Sequence, residues 1–240
     1  MNAFSLRTKA QKCVLCADRK VLSKQLSDGS IFLEDCSCVK KLVEADIYER
    51  SNIPKRYWDC SLDILNATFR KKNVKQLSKV ESYMQNMDAN IANGQGLWFV
   101  SAPGLAKSTI IVAILKFALQ QGYRSYFLRV SKAIGLKFDA LRNNQTAILM
   151  DNIVNSVDIL ALEEIDKVFL SNDDAMNNQL YYEFISDMYE SKKALLVSSN
   201  KLPKEVLQKY PTFIQDRLRS LIPIVFVGLS ERRSKARGQS

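Results

Sequence analysis

Residues 96–109 read GLWFVSAPGLAKST, and the fold hangs on them. Leu97, Trp98, Phe99 and Val100 form a short apolar run, which suits a buried strand of a parallel sheet. After a Pro/Gly turn, residues 110–119 take up an apolar pattern of helical period. A strand, a Gly-containing turn, a lysine and a hydroxyl, then a helix is the layout of a P-loop. In such a loop backbone N–H groups surround phosphate and the positive end of the helix faces it. Lys107 supplies a point charge at the terminal oxygens, and the Ser108 hydroxyl is a magnesium ligand.

Ser101 and Ala106 occupy the two glycine positions of the G-x-x-x-x-G-K-[ST] template. Gly104, after Pro103, is the loop's one unrestricted residue. If the backbone at Ala106 needs positive φ, alanine costs roughly 1–2 kcal/mol; at negative φ it costs little. A turn with a chance Lys-Ser opening an ordinary helix is the alternative reading.

Working outward, residues 125–130 (SYFLRV), 158–162 (DILAL), 194–198 (ALLVS) and 222–227 (IPIVFV) read as further strands. Helical patterns cover residues 39–51, 74–92, 131–141, 178–190 and 202–207, the last opened by Pro203. Alternating strands and helices of this length predict an α/β fold: a five-stranded parallel sheet flanked by helices. Ligands of such sheets sit beyond the carboxyl ends of the strands. Lys107, Glu163, Glu164 and Asn200 all fall on that edge. Residues 131–157 read either as a DNA-contacting insertion or as packing helices.

Hydrolysis of a terminal phosphate needs a metal, an oriented water and positive charge. Glu163 is placed to hold the metal's waters, and Glu164 to orient or deprotonate the attacking water. Asp166 is a competitor for the acidic role, and an ordinary solvated strand end is the plain alternative. Asn200 is placed to sense the terminal phosphate. Arg217, in DRLR (216–219), is placed to reach a neighbouring subunit's nucleotide, and Arg232 to reach phosphate in its own subunit.

Four of the five cysteines lie near the N-terminus as Cys13-x-x-Cys16 and Cys36-x-Cys38. With no histidine in the chain, a four-ligand zinc site here is all-cysteine and structural, with no open position. Asp28-Gly29 between the pairs predicts a small hairpin. Disulfides are the competing reading, disfavoured in an intracellular chain. Cys60 reads as a buried apolar residue. Pro54 breaks the helix before it, so residues 1–50 and 51–240 are expected to form separate domains.

A net charge of +10 over 240 residues favours a polyanionic partner, most simply nucleic acid, although a solvated basic surface has the same signature. The N-terminus lacks the apolar core of a secretory signal and no run is long enough for a membrane span, so a cytoplasmic protein without a membrane partner is expected.

With these residues in place, the chain resembles the DnaC/DnaI-type helicase loaders, a branch of the AAA+ ATPases. Residues 101–108 resemble Walker A, DILALEE Walker B, LLVSSN the sensor 1 strand, DRLR the arginine-finger segment and GLSERR the sensor 2 segment. NIPKRYW resembles the lead-in to the ATPase domain. The resemblance implies ATP or ADP with Mg²⁺ at Pro103, Gly104, Leu105, Ala106, Lys107, Ser108, Thr109 and Glu163. It also implies a hexameric replicative helicase bound through the N-terminal region, single-stranded DNA, and ATP-dependent homo-oligomers that place Arg217 in a neighbour's site. Ser101, Ala106 and Glu163 depart from the family pattern, which implies slow turnover and a divergent, phage-type version. An IstB-like transposition ATPase and a non-hydrolysing adaptor or inhibitor are the alternatives.

Overall fold

The computed structural model describes residues 13–17, 19–25, 27, 30–167 and 175–228. The chain divides into two compact units at Glu49/Arg50. In the first, strands β1 (Val21–Gln25) and β2 (Ile31–Asp35) pair antiparallel, with Val21 opposite Asp35. Helix α1 (Ser37–Arg50) follows. The hairpin expected around Asp28-Gly29 is present in its strands, while its turn lies outside the described residues. Among the described residues of this unit only Cys16, Cys36 and Tyr48 are buried; Ile31, Phe32 and Leu33 all face solvent.

The second unit opens with 3₁₀ turns at Lys55–Tyr57 and Leu62–Ile64. Then come α2 (Ala67–Lys72), α3 (Val74–Gln85) and α4 (Met87–Ala92). The single helix expected over 74–92 is therefore two. It breaks at Asn86, whose φ of −103° and ψ of 30° leave the helical region and whose side-chain amide donates to the Ser82 carbonyl oxygen at 2.8 Å. Asparagine competes with the helix ladder in this way. The unit continues with β3 (Leu97–Val100), α5 (Lys107–Gln120), β4 (Ser125–Arg129), α6 (Val130–Ala140), α7 (Asn144–Ser156) and β5 (Ile159–Glu163). It ends with α8 (Ala175–Glu190), β6 (Ala194–Ser199), α9 (Pro203–Leu207), α10 (Thr212–Arg219) and β7 (Ile222–Val225). Neither α2 nor α10 is expected from sequence; each is a turn or two long, too short for a periodic signal.

The five strands run parallel in the order β4-β5-β6-β3-β7. Every residue of β3, β5 and β6 is buried, which is why these strands read as unbroken apolar runs. Pro223 is tolerated because β7 is an edge strand. Gly96 is required where β3 enters the sheet, because a Cβ there would overlap the Leu195 carbonyl oxygen. Helix α5 is apolar on almost all sides: Ile110, Ile111, Val112, Ile114 and Leu115 are all fully buried. It is thus a central helix, held against the sheet by its whole surface. Met150 and Ile153 of α7 join the core, so residues 131–157 include packing helices. Cys60 is half-buried, a correction to the expected core position: its carbonyl is turned to the Lys116 ammonium at 2.9 Å.

Candidate functional site

The carboxyl edge of the sheet holds a cleft of about 450 Å³. Residues 103–109 form one wall; Glu163 at the end of β5, Glu164 after it, and Asn200 after β6 form the other. All the cleft residues expected from Pro103 to Asn200 are brought together there. Strand order explains this: β3 ends in the loop, β6 is its neighbour, and β5 is one strand beyond.

The loop is built by two left-handed residues, Gly104 at φ 84° and Ala106 at φ 52°. Ala106 therefore takes the conformation that carries the steric cost. Leu105 between them is buried and anchors the turn. Ala106 precedes α5 without a side-chain cap, so the first N–H groups of a 14-residue helix face the cleft with no intrahelical partner. Left-handed residues next to a helix start make an anion-binding concavity.

Lys107 folds back over the loop. Its ammonium donates to the Ser101 carbonyl at 2.7 Å, the Ser101 hydroxyl at 3.1 Å and the Asn200 Oδ1 at 2.9 Å. Burial lowers its pKa, opposed by the charges of Asp166, Glu163 and Glu164. Ser101 is thus a ligand of the lysine, which explains how a serine serves at a glycine position.

Glu163 is only 3% exposed, and burial raises its pKa, opposed by a hydrogen bond with Ser108 and by the charges of Arg129 and Arg56. Its Oε1 is buried without a partner. A buried carboxylate oxygen left open beside a serine hydroxyl suits a hard cation with oxygen ligands such as Mg²⁺. Glu164 takes a left-handed φ of 64°, donates its N–H to Ser198 Oγ at 3.1 Å and pairs with the Lys167 ammonium at 2.7 Å. Asp166 Oδ1 is also buried without a partner, and Tyr210 donates to the Ile165 carbonyl at 2.9 Å to pin this segment.

Arg217 is not in this cleft. It lies on α10 against its own chain, 3.2 Å from Glu190 and 5.6 Å from the rings of both Tyr189 and Phe213. Arg232 lies outside the described residues. The cleft also recruits Arg56, Tyr57, Arg129, Lys167, Ser198 and Ser199, which sequence reasoning did not assign to it. Arg129 had a signal: a charge closing an otherwise apolar strand.

In the N-terminal unit, the Sγ atoms of Cys13, Cys16, Cys36 and Cys38 all lie within 4.8 Å of one another. Two of the separations are 3.8 Å (Cys13–Cys36) and 3.5 Å (Cys16–Cys38), and all four cysteines are free. Tetrahedral thiolates at a zinc–sulfur distance near 2.3 Å stand about 3.8 Å apart, so the cluster has the dimensions of a closed four-sulfur metal site. Hydrogen bonds from the Cys16 and Leu15 backbone lower the Cys13 thiol to about 7. Burial and the neighbouring thiols push Cys38 up to about 12.

Sheet order, loop and carboxyl-edge acids define the larger unit as an AAA+ fold with a P-loop-type turn. Its solved structural neighbours include the DnaC helicase loader (TM-score 0.62, 20% identity, 72% of this chain and 100% of that one). DnaI is similar (0.58, 15%, 73% and 95%), as is replication initiator DnaA bound to AMPPCP and single-stranded DNA (0.57, 16%, 78% and 56%). At these identities the likeness is one of fold. In sequence, 127 residues are 26% identical to the chromosomal replication initiator protein DnaA of Lachnoclostridium phytofermentans, covering 52% of this chain. That match spans 26% of the relative's length. No protein-family model matches the chain.

Proposed function

We propose that the chain is a nucleotide-dependent DNA replication protein of the helicase-loader type. In this reading residues 51–240 bind ATP or ADP with Mg²⁺, contact single-stranded DNA and assemble with further copies when ATP is bound. Residues 1–50 are a zinc-supported module that engages a hexameric replicative helicase. One observation carries it: Lys107, Ser108, Glu163, Glu164 and Asn200 converge on one cleft of a fold shared with the DnaC helicase loader and DnaI.

Ser108 and the open oxygen of Glu163 would hold the metal, whose chemistry there would be charge neutralisation at the terminal phosphate. Lys107 leaves Asn200 to meet phosphate oxygens, and Asn200 is then free to read the terminal one. Glu164 leaves Lys167 to accept a proton from the attacking water. Arg217, released from Glu190, serves a neighbour's nucleotide. Four thiolates leave zinc no open position, so the metal there is structural.

A second reading, a helicase-binding adaptor that does not hydrolyse nucleotide, draws on the strained Ala106 and on the pairing of Glu164 with Lys167. Native mass spectrometry of the protein with its host's replicative helicase, with and without Mg-ATP, tests the class. A defined complex whose stoichiometry changes with Mg-ATP is the expected result; no complex under either condition overturns it. Turnover of ATP in that complex decides against the adaptor.

A further inference from the structure

Arg129 is the last residue of β4 and stands in register with Glu163 of β5. Register partners on adjacent strands project to the same face of a sheet. Glu163 and Ser108 of the P-loop helix line the same cleft, so Arg129 projects to the phosphate side of the sheet. Its charge reaches Glu163, and it lines the cleft.

What sets Arg129 apart is that, among the described residues, no contact holds its head group. Lys107 is held by Ser101 and Asn200, and Lys167 by the Glu164 carboxylate. Arg56 lies on the Tyr57 ring, 4.6 Å from its centroid. Among the described residues no hydrogen bond or ion pair engages the Arg129 guanidinium, and its side chain is exposed to the cleft. Four cations line the cleft against two carboxylates. The loop that cradles phosphate follows β3, and β4 is three positions away in the sheet. A phosphate chain that starts in the loop and passes Ser108 toward Glu163 therefore presents its last group, not its first, to Arg129.

We infer that Arg129 binds the terminal phosphate of a nucleoside triphosphate in its own subunit and, beside Asn200, is a residue by which this cleft distinguishes triphosphate from diphosphate. A guanidinium suits that task because its planar fork engages two phosphate oxygens at once and never loses its charge. The inference rests on the reading of this cleft as a nucleotide site.

Calorimetric titration with Mg-ADP and Mg-AMPPCP tests it on the full chain, comparing wild type, Arg129→Gln, Arg129→Lys and Lys107→Ala. Arg129→Gln should weaken AMPPCP by on the order of ten- to a hundredfold, the worth of charge-assisted hydrogen bonds, with ADP affinity within about twofold. Arg129→Lys should restore part of the difference. An equal loss for both nucleotides, or none for either, overturns the assignment. Wild type that binds neither nucleotide, or Lys107→Ala that binds both unchanged, removes the nucleotide reading itself and this assignment with it. Far-UV circular dichroism of each variant separates these outcomes from misfolding, which an exposed side chain is not expected to cause.

Discussion

The two units of this chain are each stabilised by a different means. The larger has a core of fully buried side chains, among them Trp98, Phe99, Ile114, Tyr181 and Phe184. The smaller buries Cys16, Cys36 and Tyr48 among its described residues, and its second strand shows Ile31, Phe32 and Leu33 to solvent at 70%, 53% and 62% exposure. Hydrophobic burial gives roughly 25 cal/mol per Å² of apolar surface removed from water, and the hairpin removes very little. A segment of this size without a core needs a staple. The four convergent thiols are the one candidate that the described residues offer. One unit is thus stable by packing, the other, in the proposed reading, by ligation of its four thiols, and the same perturbation should not touch both.

The largest expected effect follows from that contrast. Structural zinc contributes on the order of 10–16 kcal/mol to the folding of small Cys-ligated modules. Cys36→Ser, or exhaustive chelation, should therefore unfold residues 13–49 and leave nucleotide binding by the rest within about twofold. Limited proteolysis with mass mapping reads this directly. A protease-resistant N-terminus free of metal would break the comparison.

A core truncation is the converse experiment. Phe184→Ala removes a ring that is 1% exposed in the main core and should cost about 3–5 kcal/mol in urea unfolding of the larger unit. The metal content of the N-terminal unit should not change. A loss of metal in that variant would mean that the two units are energetically coupled.

Glu163 gives a smaller effect with a defined pH dependence. Burial raises its folded pKa, so the folded state binds the proton more tightly than the unfolded chain does. The stability linked to this group is present below the ordinary glutamate range and is lost as pH rises through the raised folded value. Glu163→Gln should therefore be more stable than wild type at pH 7, with the advantage vanishing in acid. It should also lose the response to Mg²⁺. Thermal unfolding across pH, with and without the metal, checks both; a variant less stable at pH 7 would contradict the burial argument.

Ala106→Gly is the smallest. Relieving the left-handed alanine returns roughly 1–2 kcal/mol, offset by about 0.4–1 kcal/mol for the greater freedom of glycine in the unfolded chain. A net gain of under about 1.5 kcal/mol is expected from those two figures together, with nucleotide affinity equal or tighter because the methyl group is gone. A destabilised variant would mean that Ala106 makes packing contacts worth more than its strain.

Much of this could be read from the sequence because the strands of a doubly covered parallel sheet are continuous apolar runs, and β3, β5 and β6 are of that kind. The carboxyl-edge residues Lys107, Glu163, Glu164 and Asn200 followed from where those runs stop. Strand ends shifted by a residue where a polar side chain still fits the ladder: β5 carries Glu163 as its last residue, since that carboxylate turns in toward Ser108. Helix α10 escaped because eight residues hold only two turns, and the break at Asn86 because asparagine satisfies its own backbone.

Element order, the P-loop-type turn and the four-cysteine spacing are local patterns, imposed by short-range sterics and burial, and the bare chain carries them. Which elements lie side by side is a property of the folded molecule alone. Folding placed Ser101 under the lysine, turned Ala106 into the left-handed region, and set Arg129 beside Glu163, 34 residues later in the chain. Register between strands depends on every crossover packing at once, and no local run of residues carries that information.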